Sequence, residues 1–363
     1  MSFLGCGSLG ADALRFRPNK SVDVRLMPSC PSGWRQKLHY LQFALWVSVS
    51  ALRLRPSWIY ASDPLSCPIA LALSFLPAVN VVYHEHDCPT SQGGNLFQRI
   101  VQKARRRLSR RAKLNVLPNQ ARVDWFRKQT AAPNNVCAVL NCPSVEEVVP
   151  ARTSYNNGDD FWVLYHGSLV PVRLPLTVLK ALSMLPKSVK LRVIGYETIG
   201  YPGYSKVIQE TAKELGIGDR VEVIGAVPLR STLLDWCEKS DVGLALMPTR
   251  TDDINEQSMA GASNKPFDYL ACGLSLLVSD RPDWNSMYVS TGYGRACNPD
   301  DPHSIAETLR WFMDNPDEMR SMGSRGQTKI LAEWNYQAQF APVLRRLKQE
   351  QCVVDFETAV AKS

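Results

Sequence analysis

Short apolar runs recur along the second half of the chain, at FWVLYH (161–166), KLRVIG (190–195), RVEVIG (220–225), DVGLALM (241–247) and LSLLVS (274–279). Between them lie stretches such as 174–185 and 204–215, where apolar residues return at helical spacing. Apolar strands alternating with amphipathic helices predict a parallel sheet covered on both faces, a repeated βα unit. The first half carries the same pattern less regularly. It has a helix over 34–54 stopped by Pro56 and Ser57, and further helices over 64–75 and 122–129. Its strands are SWIYASD (57–63), AVNVVYHEHD (78–87), LNVLPN (114–119) and VCAVLNCP (136–143). The polar run VPARTSYNNGDD (149–160) reads as an interdomain linker. The expected organisation is an α/β chain with domains at 1–150 and 158–335, a closing helix at 336–351 and a tail at 352–363.

Within this pattern, SNKPFDYLACGLSLLVSDRPD (263–283) carries the most chemistry. It predicts a helix beginning near Asn264 and stopped at Gly273, followed by a buried strand. A helix start offers open N–H groups and the positive end of a dipole, and Lys265 adds a full charge, so the site suits a phosphate. Asp268, one turn on, could accept hydrogen bonds from sugar hydroxyls; the plain alternative is a surface helix with a chance Asn-Lys start. Gly167 and Gly195 end their strands, where a missing side chain would let backbone approach a ligand, and Arg173 follows Gly167 closely.

In the first half, His84, Glu85, His86 and Asp87 fall at the C-terminal end of a strand, where parallel sheets present side chains to ligands. His84 and His86 share one face and Glu85 the other; metal binding, structural hydrogen bonding and substrate contact are all open to them. Gly5, Gly7 and Gly10 spell GxGxxG, with Asp23 downstream, but only four residues precede Gly5. That is too short a leading strand for a dinucleotide loop, and a turn-rich strand end is the simpler reading.

The net charge of +8 points to an anionic partner. Much of it lies in LFQRIVQKARRRLSRRAKL (96–114), a basic amphipathic helix with eight Lys or Arg and no acid. Such a helix is either a solvated domain face or a seat on an anionic membrane surface; with no aromatic residue among the charges, nucleic acid is not expected. Ten scattered cysteines without a CxxC pair read as reduced thiols in a cytoplasmic protein. The start lacks the pattern of a secretory signal, and the apolar stretch 40–52 is too short and polar to span a bilayer.

YHGSLVPVR (165–173), LRVIGYE (191–197), VEVIGAVP (221–228), SDVGLALMP (240–248) and SNKPFDYLACG (263–273) together resemble glycosyltransferase family 4, the "group 1" enzymes. The resemblance implies a GT-B fold, two facing Rossmann-like domains with parallel sheets, and a closing helix crossing back to the first domain. It implies a retaining transferase moving a sugar from a nucleotide-sugar donor to a glycan or lipid-linked acceptor, with no cofactor and no metal. The cysteine pattern, taken with the basic helix, leads to an expected cytoplasmic location with a seat peripheral to the inner membrane face as one reading.

On the resemblance, Arg173 takes the family's lysine position near the donor diphosphate, and backbone from Gly261 through Ala262, Ser263 and Asn264 cradles it; Lys265, read from the residues themselves, is the second cation available there. Asp268 takes the ribose, Val227 and Pro228 line the base pocket, Gly167, Ser168 and Gly195 approach the donor, and His86 stands beside the transferred sugar. Ser168 replaces the family's arginine, and Ala260 the first of its two glutamates. MSFLGCGSLG (1–10) aligns with the family's second strand, which implies that the first strand, glycine-rich loop and first helix are missing. A catalytically impaired scaffold or a GT-B sugar-nucleotide epimerase are the alternatives.

Overall fold

The computed structural model describes residues 1–7, 19–31, 33–89, 94–132, 135–149 and 160–360, with backbone only from 350 onward. Gly10 of the glycine pattern and most of the expected linker, 150–159, lie outside the described residues.

The N-terminal half runs β1 (Ser2–Cys6), β2 (Asp23–Met27), α1 (Trp34–Leu54), β3 (Trp58–Ser62), α2 (Cys67–Leu73), β4 (Asn80–His84), α3 (Leu96–Arg111), β5 (Leu114–Leu117), α4 (Gln120–Thr130) and β6 (Val136–Ala138). Strands β3, β4, β5 and β6 form a parallel sheet in chain order, each reached through a helix. Among the described residues β1 and β2 pair, in parallel, only with each other, and β3 is bonded only to β4. The first helix coincides with the expected 34–54. Strand β4 stops at His84 rather than Asp87, because the chain turns once the Glu85 amide has donated to Val116 O.

The C-terminal half continues with β7 (Phe161–Leu169), α5 (Thr177–Ser183), β8 (Val189–Glu197), α6 (Tyr204–Glu214), β9 (Val221–Gly225), α7 (Arg230–Glu238), β10 (Val242–Ala245) and α8 (Ile254–Gln257). It closes with α9 (Asn264–Ala271), β11 (Ser275–Ser279), α10 (Pro282–Trp284), β12 (Gly294–Cys297), α11 (Pro302–Asp314), α12 (Pro316–Ala332) and α13 (Tyr336–Val360). Its six strands are parallel in the order β12-β11-β10-β7-β8-β9. The winding reverses between β7 and β10, which opens a crevice at their C-terminal ends. Alternation along β7 sends Val163 and Tyr165 to one core layer, with α5, α6 and α11, and Leu164 to the other, with α7 and α9. Both faces are therefore apolar, as the continuous runs predicted.

These are two Rossmann-like domains, and they are held together by specific polar contacts. Asn119 caps α4 through its side-chain oxygen while its amide nitrogen donates to Ser258 O and Ala260 O. Arg122, fully buried on the same helix, donates to His86 O, Ser258 Oγ and Asn255 O. Asn255 and the Cys88 backbone exchange two hydrogen bonds. Helix α13 lays Phe340 and Val343 against Val82, Leu114 and Val116 of the N-terminal sheet. It stays helical to Val360, through much of the stretch read from the sequence as a tail. Among the described residues no helix is long and apolar enough to cross a membrane.

Candidate functional site

Helix α9 starts where β7 and β10 diverge, with Ser263 at its N-cap making no side-chain hydrogen bond to the helix. Lys265 folds back beneath Gly167: a Cβ on Gly167 would lie 2.9 Å from the lysine Cε, so the chain needs glycine there to admit the side chain. The ammonium sits 5.5 Å from the Tyr165 ring centroid, and Lys265 is 8% exposed. It forms no ion pair or hydrogen bond among the described residues. Burial, and then the charge of Arg173, bring its pKa from 10.5 down to about 7, against the opposing pull of Asp268. A buried cation without an anion, at an uncapped helix start, is a seat for an anionic ligand.

The cradle expected from Gly261 to Asn264 is narrower than the sequence suggested. The Gly261 amide donates to Tyr288 Oη, and those of Ala262 and Ser263 both donate to Met259 O. Only the turn from Asn264 onward offers donors to a ligand. Gly195 also needs a different explanation: a Cβ there would lie 1.8 Å from Gly167 O, so its glycine serves the close pairing of β7 with β8. Ser168 does not contact Lys265; its hydroxyl accepts from Arg173 Nη1 at 2.9 Å and so orients that cation. Val227 packs partly on the core beside α7, and Pro228 is exposed next to it.

Asp268 is fully buried and already held. Arg230 grips it with two parallel bonds, Nη2–Oδ1 at 2.6 Å and Nη1–Oδ2 at 3.2 Å, and extends its Nε 2.5 Å to Glu147 Oε1. His166 Nε2 lies 3.4 Å from Asp268 Oδ2. Burial and the charges of Lys265 and Arg230 push the His166 pKa well below its usual 6.5, so the imidazole is neutral. The sequence reading missed Arg230, Glu147 and His166 as partners of Asp268. His166 lay inside a quoted motif, but Arg230 at the start of α7 and Glu147 in the turn after β6 meet without any signature in the sequence.

At the end of β4, the His84 and His86 rings stack with centroids 3.9 Å apart, while Glu85 turns the other way. Glu85 is buried between Tyr83 Oη (2.6 Å) and the Arg105 fork (2.7 Å from Nη2), so one arginine of the basic helix is structural. His84 is hydrogen-bonded to the Tyr60 hydroxyl, and burial, followed by the neighbouring His86, lowers its pKa to about 3. Among the described residues no group of three or more His, Cys, Asp or Glu is placed to hold a metal. His86 is anchored through its backbone, its N–H donating to Asp63 Oδ1 at 2.8 Å and its carbonyl accepting from Arg122. Next to it, Asp87 lines a cavity of about 490 Å³ between the two halves. The opposite wall of that cavity includes Arg173, Asp253, Asn255 and Glu256. Of the three catalytic candidates, Arg173 opens into this space, His86 adjoins it through Asp87, and Lys265 lies on the far side of Gly167.

The paired parallel sheets with a cleft between them define a GT-B protein, and comparison of structures bears this out. An Anabaena protein, Alr3699/HepE, in complex with UDP-glucose is similar at 16% identity, covering 96% of this chain and 100% of that one, with a TM-score of 0.71. Sucrose-phosphate synthase (tll1590) from Thermosynechococcus elongatus is similar at 15% identity over 95% and 86% of the two chains, TM-score 0.69. A Burkholderia xenovorans α,α-trehalose-phosphate synthase (UDP-forming) in complex with glucose-6-phosphate follows at 14% identity over 88% and 79%, TM-score 0.64. Residues 151–329 match the family described as glycosyl transferases group 1. The chain accordingly has the GT-B fold, and its second half is a domain of the glycosyl transferases group 1 family. Comparison with curated proteins found no match.

Proposed function

We propose that this chain moves a sugar, with retention, from a nucleotide-sugar to a glycan or lipid-linked acceptor. The observation that carries the reading is Lys265, a buried cation with no anion paired to it among the described residues, at the start of α9 beside Arg173. Cleavage of the anomeric C–O bond builds charge on the departing diphosphate, and fixed positive groups stabilise that transition state more than the ground state. Lys265, Arg173 and the Asn264 turn supply those groups. Asp268 then holds the ribose hydroxyls once Arg230 releases it, and Glu147, already bonded to Arg230, keeps the guanidinium paired. Val227 and Pro228 border the base, and His86 and Asp87 face the sugar. The neighbours with UDP and UDP-glucose support a nucleotide-sugar donor. The exposed arginines of α3 suit an anionic membrane surface at the cytoplasmic face.

The test is thermal stabilisation by UDP, GDP, ADP and dTDP, for the native chain and for Lys265→Met and Asp268→Asn. One nucleotide is expected to raise the melting temperature of the native chain and to have little effect on either variant. If no nucleotide stabilises the folded chain, or if Lys265→Met responds like the native protein, the donor assignment fails.

A further inference from the structure

The cavity between the two halves has a charge balance opposite to that of the whole chain. Three carboxylates line it, Asp87, Asp253 and Glu256, against a single cation, Arg173. Each carboxylate keeps one oxygen without a protein partner among the described residues. Asp253 Oδ1 accepts the Asn255 N–H, and Glu256 Oε2 accepts the Thr251 hydroxyl. Asp87, its side chain 77% exposed, touches only Arg122, at 3.3 Å. Ionised carboxylates accept and never donate, so the cavity offers three open acceptor positions. Arg173 is bonded to Ser168 and belongs to the donor side.

The basic side chains of α3 do not alter this balance. Gln98, Val101 and Gln102 line the cavity, while Arg99, Lys103 and Arg106 are exposed beside it and are not part of its lining. Phe97 and Pro89 add an apolar wall, and the Phe97 ring is held edge-on by Tyr40 with centroids 5.0 Å apart. A pyranose presents an apolar face and a rim of hydroxyl donors, which matches such a lining.

We infer that this cavity receives the acceptor as an uncharged or amino-bearing hexose unit and rejects sugar phosphates. The inference rests on the proposed donor reading and names the acceptor class for the same site. A phosphate here would meet three like charges, and the one lining cation among the described residues, Arg173, is committed to the donor diphosphate on the proposed reading. One structural neighbour, the Burkholderia synthase, holds glucose-6-phosphate, so the fold itself imposes no such exclusion.

Glucose, glucosamine and glucose 6-phosphate share one ring and differ in charge, and saturation-transfer NMR on the full chain with excess UDP compares them directly. Transfer is expected to glucosamine and glucose, with none to glucose 6-phosphate. The double variant Asp253→Asn, Glu256→Gln keeps both internal acceptors, and it should weaken glucosamine about two- to fivefold, towards glucose. Phe97→Ala should weaken both sugars. Transfer to glucose 6-phosphate as strong as to glucose or stronger, or no transfer to any of the three, overturns the inference. The same titration without sugar reports UDP binding separately, so loss of the donor reading is distinguished from loss of the acceptor class.

Discussion

Replacing Lys265 by methionine should make the protein more stable and less able to bind a nucleotide. Methionine retains most of the side-chain volume beneath Gly167 and removes only the charge. The depression of the lysine pKa from 10.5 to about 7 corresponds to an upper bound of about 5 kcal/mol for holding the ammonium in this site. Relaxation and water entry leave about 2–4 kcal/mol of that penalty, or about 5–10 °C in melting temperature for a domain of this size. The pH dependence follows from the sign of the shift. Below pH 7 both folded and unfolded chains carry the proton, and the folded state bears the whole penalty. Between about 7 and 10.5 the folded chain releases the proton first, so native stability rises with pH. Urea or thermal denaturation of the two proteins at pH 6 and pH 9 should therefore show a large gap in favour of Lys265→Met at pH 6 that narrows at pH 9. Nucleotide at a hundredfold excess over its Kd adds about 2.7 kcal/mol to the native chain alone and closes the gap from the other side. A variant less stable than the native chain at pH 6, or a gap independent of pH, would refute the view of Lys265 as an unpaired buried cation.

Three further outcomes follow from the packing. Arg122→Met removes the bonds from α4 to His86 O, Ser258 Oγ and Asn255 O and should cost about 3 kcal/mol; calorimetry should then resolve separate transitions for the two halves. His84 stays neutral in the folded chain down to about pH 3 but takes up a proton at about 6.5 when unfolded, so it removes stability as pH falls below 6.5, about 2 kcal/mol by pH 5. The difference in urea midpoint between pH 7.5 and pH 5 should shrink in His84→Gln. Gly195→Ala puts a methyl group 1.8 Å from Gly167 O and should cost at least about 3 kcal/mol; a fully stable variant would contradict the close β7–β8 pairing.

The hydrophobic pattern was enough to determine the architecture. A run such as LSLLVS can bury both faces only in a covered parallel sheet, and β11 lies in one, fully buried along Ser275–Ser279. The start of α9 and the lysine beside it were equally legible, because a cap, a charge and a glycine stop are local features. What only the tertiary structure decided is how each charge is answered. Asp268 and Lys265 stand three positions apart on one helix, yet the first is clasped by Arg230 and faces His166, while the second has no ion-pair partner among the described residues. Arg105 and Arg99 look alike in the sequence, but one is buried against Glu85 and the other is exposed. The carboxylates of the central cavity come from the turn after β4 and from the cap and body of α8, more than 160 residues apart, and meet because contacts such as that of Asn255 with Cys88 bind the two halves together. Periodicity reports which face of an element is buried; partners across the core depend on how elements dock, and the charge state of a site depends on those partners.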